Sequence, residues 1–362
     1  MNLVLHELHA RHGARFGDVA GAEVVLDYGD RAAELVALRK SAALLDLSFR
    51  GRLCVVGADR ARFLHGQVTN DINRLAPGQG CYALLTSNKG RLQADLNVHC
   101  LAEELLLDCE PGLTARVTAR LEKFIVADDA QIVDVAPHYG LLAVVGPRAA
   151  EAVTASGLFA TVPAQEFHSL KQTDAALGEL YLANVPRAGQ PGWDVFVPVA
   201  SLPAVAARLR EAVTGADGTL AGWDALETVR VAAGVPRFGA DLDETTLPQE
   251  AGLETRAVSF HKGCYIGQEV INRLRTIGQV TRALRGLRLP ADLPALPVRG
   301  DKLRHADKEV GHITSAARVP WRNANLALAS VRREGFAPGT ELTLRTATGD
   351  WPVQVSALPF PP

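Results

Sequence analysis

The 362-residue sequence predicts an α+β protein, with ferredoxin-like α+β units followed by a small all-β segment. Three observations carry that expectation. Elements between Leu53 and Val135 read in the order β-α-β-β-β-α-β, a ferredoxin-like split with one extra strand. A strand–glycine–helix junction occurs twice: Val55-Val56-Gly57-Ala58-Asp59-Arg60-Ala61 is echoed by Val144-Val145-Gly146-Pro147-Arg148-Ala149-Ala150. Short apolar runs with glycine turns dominate the C-terminal end, as in a small antiparallel barrel or sandwich.

Residues up to about 30 read as a helix followed by loops. The first sharp strand is Leu53-Cys54-Val55-Val56, ended by Gly57. Asp59 suits a helix N-cap, and Ala61, Leu64 and Val68 form the apolar stripe of the helix behind it. Pro77-Gly78-Gln79-Gly80 is turn material, Cys81 to Thr86 a strand, and Ser87-Asn88-Lys89-Gly90 a hairpin turn. In the next strand Leu92, Ala94, Leu96 and Val98 share one face, while Arg91, Gln93, Asp95, Asn97 and His99 share the other. Period-two alternation of this kind means one apolar and one polar face. Leu105 to Cys109 is a strand, Leu113, Val117, Leu121 and Phe124 stripe a second helix, and Gln131 to Val135 closes the unit.

A second, degenerate α+β unit follows, with strands at 179–184 and 193–197 and a helix from Leu202. Trp223 to Ala233 reads as a helix stopped by Gly234 with Pro236 beyond. Pro290, Pro294 and Pro297 mark a linker or irregular edge. Strands are expected over 310–314, 326–331, 341–345 and 353–355.

Size and composition bound the rest. At roughly 100–200 residues per domain the chain makes two to three domains. Its 48% hydrophobic and 22% charged residues exclude a disordered chain. Lys plus Arg (38) nearly balance Asp plus Glu (40), for a net charge of −2. That balance argues against direct nucleic-acid binding and against a generic anionic-membrane binder. No apolar stretch approaches the ~20 residues that cross a bilayer, and the start lacks the apolar core of a signal peptide. Five scattered cysteines without a CxxC pair fit reduced thiols in a cytoplasmic protein.

Several patterns carry no chemistry. Gly78-Gln79-Gly80-Cys81-Tyr82-Ala83 fits a dinucleotide fingerprint formally, but it precedes a strand instead of opening a helix. His6, His9 and His12 have helical spacing without a carboxylate or thiol to complete a ligand set, so they read as a solvated helix face and no metal is expected. Trp193 and Trp223 offer flat surfaces for a heterocycle, or core filling.

Two places stand out. In His261-Lys262-Gly263-Cys264-Tyr265-Ile266-Gly267-Gln268-Glu269 two glycines bracket a cysteine, so the backbone can turn tightly and admit a ligand. Lys262 and His261 place positive potential beside the thiol, the setting that reactive cysteines need. Gln268 and Glu269 add a donor–acceptor pair and a pure acceptor. The alternative is a glycine-rich turn around an inert cysteine. Asp95, between Gln93 and Asn97, could take up a proton or accept from an amine, or be a solvent-facing strand carboxylate.

The octapeptide Lys262-Gly263-Cys264-Tyr265-Ile266-Gly267-Gln268-Glu269 resembles the signature of YgfZ-type folate-binding proteins, relatives of the glycine-cleavage T-protein that assist iron–sulfur cluster maturation. Gly66-Gln67-Val68-Thr69-Asn70-Asp71, Asn88-Lys89-Gly90 with Asp95, Arg230 to Pro236, Pro248-Gln249-Glu250-Ala251-Gly252-Leu253 and Gly311-His312-Ile313-Thr314-Ser315 are similar to further segments of that superfamily, in family order.

The resemblance implies a three-lobed cloverleaf with tetrahydrofolate or a derivative in its centre and a C-terminal antiparallel β-barrel. The lobes would be an N-terminal segment (1–45) packed on the second lobe, a ferredoxin-like lobe (46–136), a second α+β lobe with the octapeptide (137–279) and the barrel (280–362). Pterin N–H groups call for a carboxylate, and the match to the family segments makes Asp95 and Glu250 the candidate acceptors. The anionic glutamyl tail calls for cations, which nominates Arg187, Arg237 and Arg273. Trp193, Trp223, Gly263, Tyr265, Gly267, Gln268 and Glu269 complete the expected folate-binding set.

The chain departs from the T-protein in two places. Arg187-Ala188-Gly189-Gln190-Pro191-Gly192-Trp193 lacks a folate-holding Glu found there, and the T-protein lacks the cysteine at Cys264. Both departures favour the iron–sulfur branch, while the presence of Asp95 keeps one-carbon chemistry open. The leading expectation is a tetrahydrofolate-binding, monomeric protein with iron–sulfur clients, tRNA-modifying enzymes among them, and a working thiol at Cys264 aided by Lys262. A single thiol cannot by itself hold a cluster that takes four protein ligands. The alternative is a folate-dependent aminomethyltransferase or methyltransferase using Asp95, and a third reading is a scaffold that has lost its ligand.

Overall fold

The computed structural model describes residues 2–276 and 278–361. The chain divides into two compact units. The first holds the chain up to Leu85, Ala94–Leu226 and His261–Tyr265; the second holds Thr86–Gln93, Glu227–Phe260 and the chain from Ile266 onward.

The first unit contains two sheets. One runs Gly80–Thr86, Leu92–Cys100, Leu105–Cys109, Gly51–Val56, Gln131–Asp134 in spatial order, with helices Arg60–Gln67 and Thr114–Glu122 between its strands in sequence. Without its edge strand Gly80–Thr86 this is the ferredoxin-like order, so the expected split with one extra strand is what forms. Leu92, Ala94, Leu96 and Val98 are fully buried, and Ala94, Leu96 and Val98 share one core with Leu53, Leu64, Leu107, Val117 and Leu121.

The opposite face of that strand is not simply solvated. Asn97 (8% exposed) and His99 (1%) are buried, and the His99 ring meets Phe196 of the other sheet edge-on at 5.9 Å. Alternation had separated the two faces, but it carries no information about what packs on the polar one.

Two local expectations hold only in part, for identifiable reasons. Asp59 is the N-cap residue of helix Arg60–Gln67, as expected, but its side chain makes no capping hydrogen bond. Instead its carboxylate accepts from Asp129 N (2.9 Å) and pairs with Arg62 (3.2 Å). Phe124 lies beyond its helix, half exposed under the Arg120 guanidinium (4.2 Å), because the helix ends at Glu122.

The second sheet runs Ser169–Asp174, Gly178–Asn184, Gly192–Pro198, Tyr139–Val145, Ala43–Asp46, Thr219–Leu220. Helix Leu202–Gly215 covers it with Leu202, Val205, Leu209 and Val213. The repeated junction has a physical cause. Gly57 (φ +106°) and Gly146 (φ +132°) both turn a strand into a helix, and a Cβ would collide with the Asp129 carbonyl at the first and the Ser41 carbonyl at the second.

The N-terminal segment differs from its expected loops. After helix His6–Arg11 it forms the hairpin Arg15–Val19/Ala22–Asp27, then helix Arg31–Lys40. His9, expected on a solvated face, is 3% exposed and bonded to Asp46 (2.9 Å) and the Tyr28 hydroxyl (2.8 Å). Among the described residues no His, Cys, Asp and Glu cluster could hold a metal ion.

In the second unit a closed antiparallel barrel runs Arg282–Leu289, Ala324–Arg332, Lys308–Val319, Lys302–His305, Glu341–Thr346, Gly349–Ser356. Strands Arg282–Leu289 and Lys302–His305 flank the proline-rich stretch that reads in the sequence as a linker or irregular edge. Arg282-Ala283-Leu284-Arg285-Gly286-Leu287 breaks strict alternation at Gly286, where a Cβ would strike the Phe360 ring. The hairpin turn forms as expected, with Ser87 N to Arg91 O and Gly90 N to Ser87 O both at 2.9 Å and Gly90 at φ +69°.

Candidate functional site

The site that stands out in the first unit is the polar face of Leu92–Cys100. Asp95 points from it into a half-buried position. Its Oδ2 accepts from the Tyr82 hydroxyl at 2.9 Å, while Oδ1 is shielded from water and has no hydrogen-bond partner among the described residues. Burial pushes the Asp95 carboxyl up to about 6, and the nearby Glu110 adds to the shift, against the pull of Tyr82 and Arg50. A carboxyl titrating there exchanges its proton close to neutral pH, which suits an acid or base. The Tyr82 ring stacks near Phe167, with centroids 6.4 Å apart.

The floor beside Asp95 is a buried network. Asp108 accepts from Arg50 Nε (2.7 Å), Arg187 Nη2 (2.9 Å) and Asn97 Nδ2 (2.7 Å). Arg50 also holds Glu110 at 2.5 Å, and Arg187 pairs with Asp194. The two guanidiniums drive the Asp108 carboxyl far below its usual range despite its burial. Arg187, nominated for a ligand tail on charge alone, is therefore committed inside the protein.

The octapeptide divides between the two units. In the first, Lys262 is 8% exposed and donates to the carbonyls of His65 (2.5 Å), Val68 (2.7 Å) and Asn70 (2.9 Å). Three carbonyls take the three donors of an ammonium. Expected as an aid to the thiol, Lys262 is a strut instead, and burial brings it down to about 8. Cys264 is exposed, as is Gly263. The Tyr265 ring lies 4.9 Å from the Lys262 ammonium, and its buried hydroxyl has no hydrogen-bond partner among the described residues.

In the second unit Gly267 (φ +90°) sits where a Cβ would meet Ser87 O at 2.5 Å and Thr86 Oγ1 at 2.9 Å, so the glycine serves backbone packing. Gln268 and the exposed Glu269 open helix Gln268–Thr276, on which Arg273 is also exposed.

Other nominated residues are structural. Trp193 is part of the core under the second sheet and donates to Pro163 O (3.4 Å). Trp223 is 8% exposed and packs edge-on against Phe49 (5.4 Å). Arg237 pairs with Glu227 at 3.2 Å. Glu250 is 6% exposed, and its Oε2 accepts from Leu247 N (2.9 Å) and Arg282 Nε (3.2 Å). Sequence reasoning missed Tyr82, Glu110, Arg50 and Asp108. An Asp inside the apolar run Leu105-Leu106-Leu107-Asp108-Cys109 was the one legible signal for the network.

An α+β unit with a ferredoxin-like sheet, a closed antiparallel barrel and one poised strand carboxyl define the class of protein. The comparisons give its family. Residues 5–262 match the GCVT N-terminal domain, and residues 282–361 match the glycine cleavage T-protein C-terminal barrel domain. The chain is 30% identical over 361 residues to an aminomethyltransferase of Saccharopolyspora erythraea, covering 98% of this chain and 96% of that protein. It is 31% identical over 370 residues to one of Streptomyces coelicolor, with the same coverages. The crystal structure of glycine cleavage system aminomethyltransferase T from Bartonella henselae superposes with a TM-score of 0.88 at 24% identity, covering 100% of this chain and 98% of that one. The chain belongs to the glycine cleavage T-protein (aminomethyltransferase) family and has that family's α+β fold with its C-terminal barrel. The relatives carry the aminomethyltransferase name, not that of the YgfZ-type branch.

Proposed function

We infer that this chain is a folate-dependent one-carbon transferase, of the aminomethyl- or methyl-transferring kind, with Asp95 as its working carboxyl. The observation that carries this is the Asp95 Oδ1, buried and without a partner, on a carboxyl raised to about 6. An unsatisfied buried acceptor costs about 1–3 kcal/mol, so it fits a ligand that brings N–H donors. A reduced pterin brings them, and its nitrogens are what carry a one-carbon unit. Tyr82 would hold Asp95 in place, and Asp95 would accept the ligand N–H and move the proton there. Family membership supports the same reading.

The test supplies tetrahydrofolate with an aminated or methylated donor and follows turnover. The Asp95→Asn variant should lose at least roughly a hundredfold, the scale of one acid–base group. Equal turnover in the variant would remove Asp95 from the chemistry.

A second reading rests on Cys264. Its sulfur is exposed in a turn that departs from the T-protein pattern and resembles the YgfZ-type signature. On that reading the protein binds folate and assists iron–sulfur clients. Cys264→Ala should then lower the activity of an iron–sulfur client under oxidative stress, and unchanged client activity counts against it.

A further inference from the structure

We propose that a cleft of about 730 Å³ in the second unit, furnished by Arg91, Arg282 and Arg332, binds a small polyanion bearing phosphate or carboxylate groups.

The argument begins with register. Arg282 and Arg332 are direct partners across the antiparallel ladder of strands Arg282–Leu289 and Ala324–Arg332. Like charges directly opposite destabilise a strand pair. Arg91 brings a third guanidinium. Arg91 Nη1 and Arg282 Nη2 both donate to the Thr245 carbonyl, and Arg282 Nη2 also donates to Thr245 Oγ1 at 2.9 Å. These bonds hold two cationic heads against one another.

Three glutamates line the cleft with the three arginines, but the compensation is uneven. Glu250 pairs with Arg282 at 3.2 Å and with Arg91 at 3.5 Å, so one carboxylate is shared by two cations. It is also bound by Leu247 N and 94% withdrawn from water, which fixes it and the arginines it holds. The Arg332 side chain is exposed and makes no hydrogen bond or ion pair among the described residues, its backbone alone being bonded, as at Gly335 N (2.9 Å). Glu309, which senses its charge, is already paired with Lys302 at 3.0 Å. Glu244 and Glu334 also line the cleft. They disfavour diffuse anion accumulation and select a ligand that engages the guanidinium forks directly. Planar guanidinium donors match carboxylate and phosphate oxygens pairwise, which gives such a ligand its geometry.

The experiment is calorimetric titration of the full chain at low salt with pyrophosphate and, separately, with glutarate. At least one probe should bind, and Arg332→Gln should weaken that binding roughly tenfold or more, the loss of one charge-assisted pair. Arg332→Lys, which keeps charge but not the fork, should fall between. Pyrophosphate alone binding would point to a phosphate ligand, glutarate alone to a carboxylate ligand, and both to the shared chemistry. The Arg332 side chain is exposed and bonded to none of the described residues, so the variants should keep the wild-type melting temperature. No heat from either probe, or equal affinity in wild type and Arg332→Gln, overturns the proposal.

Discussion

Asp95 and Asp108 stand on neighbouring strands of the same sheet, and their surroundings are furnished in opposite ways. Asp108 is surrounded by Arg50, Arg187 and Asn97, and its carboxyl is held far below the ordinary range. Asp95 has one hydroxyl on one oxygen, nothing on the other, and a like charge nearby at Glu110. Saturation makes a carboxylate part of the framework. An unfilled acceptor whose proton is loosely held is what a ligand can use.

The largest effect should come from opening the saturated side. Arg187→Met leaves Asp108 and Asp194 buried without their shared cation, which costs about 3–5 kcal/mol. Urea denaturation should show the midpoint fall accordingly, and a loss under 1 kcal/mol would mean the network relaxes or admits water.

The unsaturated side should respond with the opposite sign. An unfolded Asp titrates near ~3.9, whereas Asp95 in the folded protein titrates at about 6. Between those values the folded state holds the extra proton, so this group's contribution to stability falls as pH rises from about 4 to about 6 and is level above. The upper bound on the loss is about 3 kcal/mol. Asp108 acts oppositely, since its depressed value takes stability away as pH falls below the ordinary carboxyl range. Asp95→Asn should remove the decline between pH 4 and 6, leaving a variant as stable as wild type or more so at pH 7. A variant less stable than wild type at pH 7 would show the ionised carboxylate to be a structural partner.

Lys262 sharpens the same contrast within the octapeptide. Lys262→Met strands three carbonyls and should cost about 2–3 kcal/mol in thermal denaturation, while alkylation of Cys264 proceeds at an unchanged rate. A stable variant with a slowed thiol would return Lys262 to the role expected of it from sequence. The smallest effect belongs to Cys264→Ser, within about 0.5 kcal/mol of wild type, because the side chain is exposed. Peptide mapping after brief iodoacetamide treatment should find Cys264 modified first, since burial pushes both Cys54 and Cys81 up to about 12.

The alternating strand around Asp95 was legible because period-two patterning reports directly on faces, and the glycine junctions because carbonyls leave no space for a Cβ. The hairpin at 15–27 and the first barrel strand were not, since their pairing partners, rather than their own periodicity, make them strands. Charge misled where it was internally matched. Arg187 and Arg237 looked like ligand cations, but each is paired within its own unit, and no property of a lone arginine in sequence announces that. Tyr82 and Glu110 shape Asp95 from outside its strand, so only coordinates could bring them together.

Calorimetric titration of tetrahydrofolate into the wild-type chain and into Asp95→Asn goes most directly to the account. Wild type should bind, and the variant should bind roughly tenfold or more weakly at neutral pH. Equal affinity in the two proteins, or none in either, would contradict the role assigned to the unpartnered carboxyl.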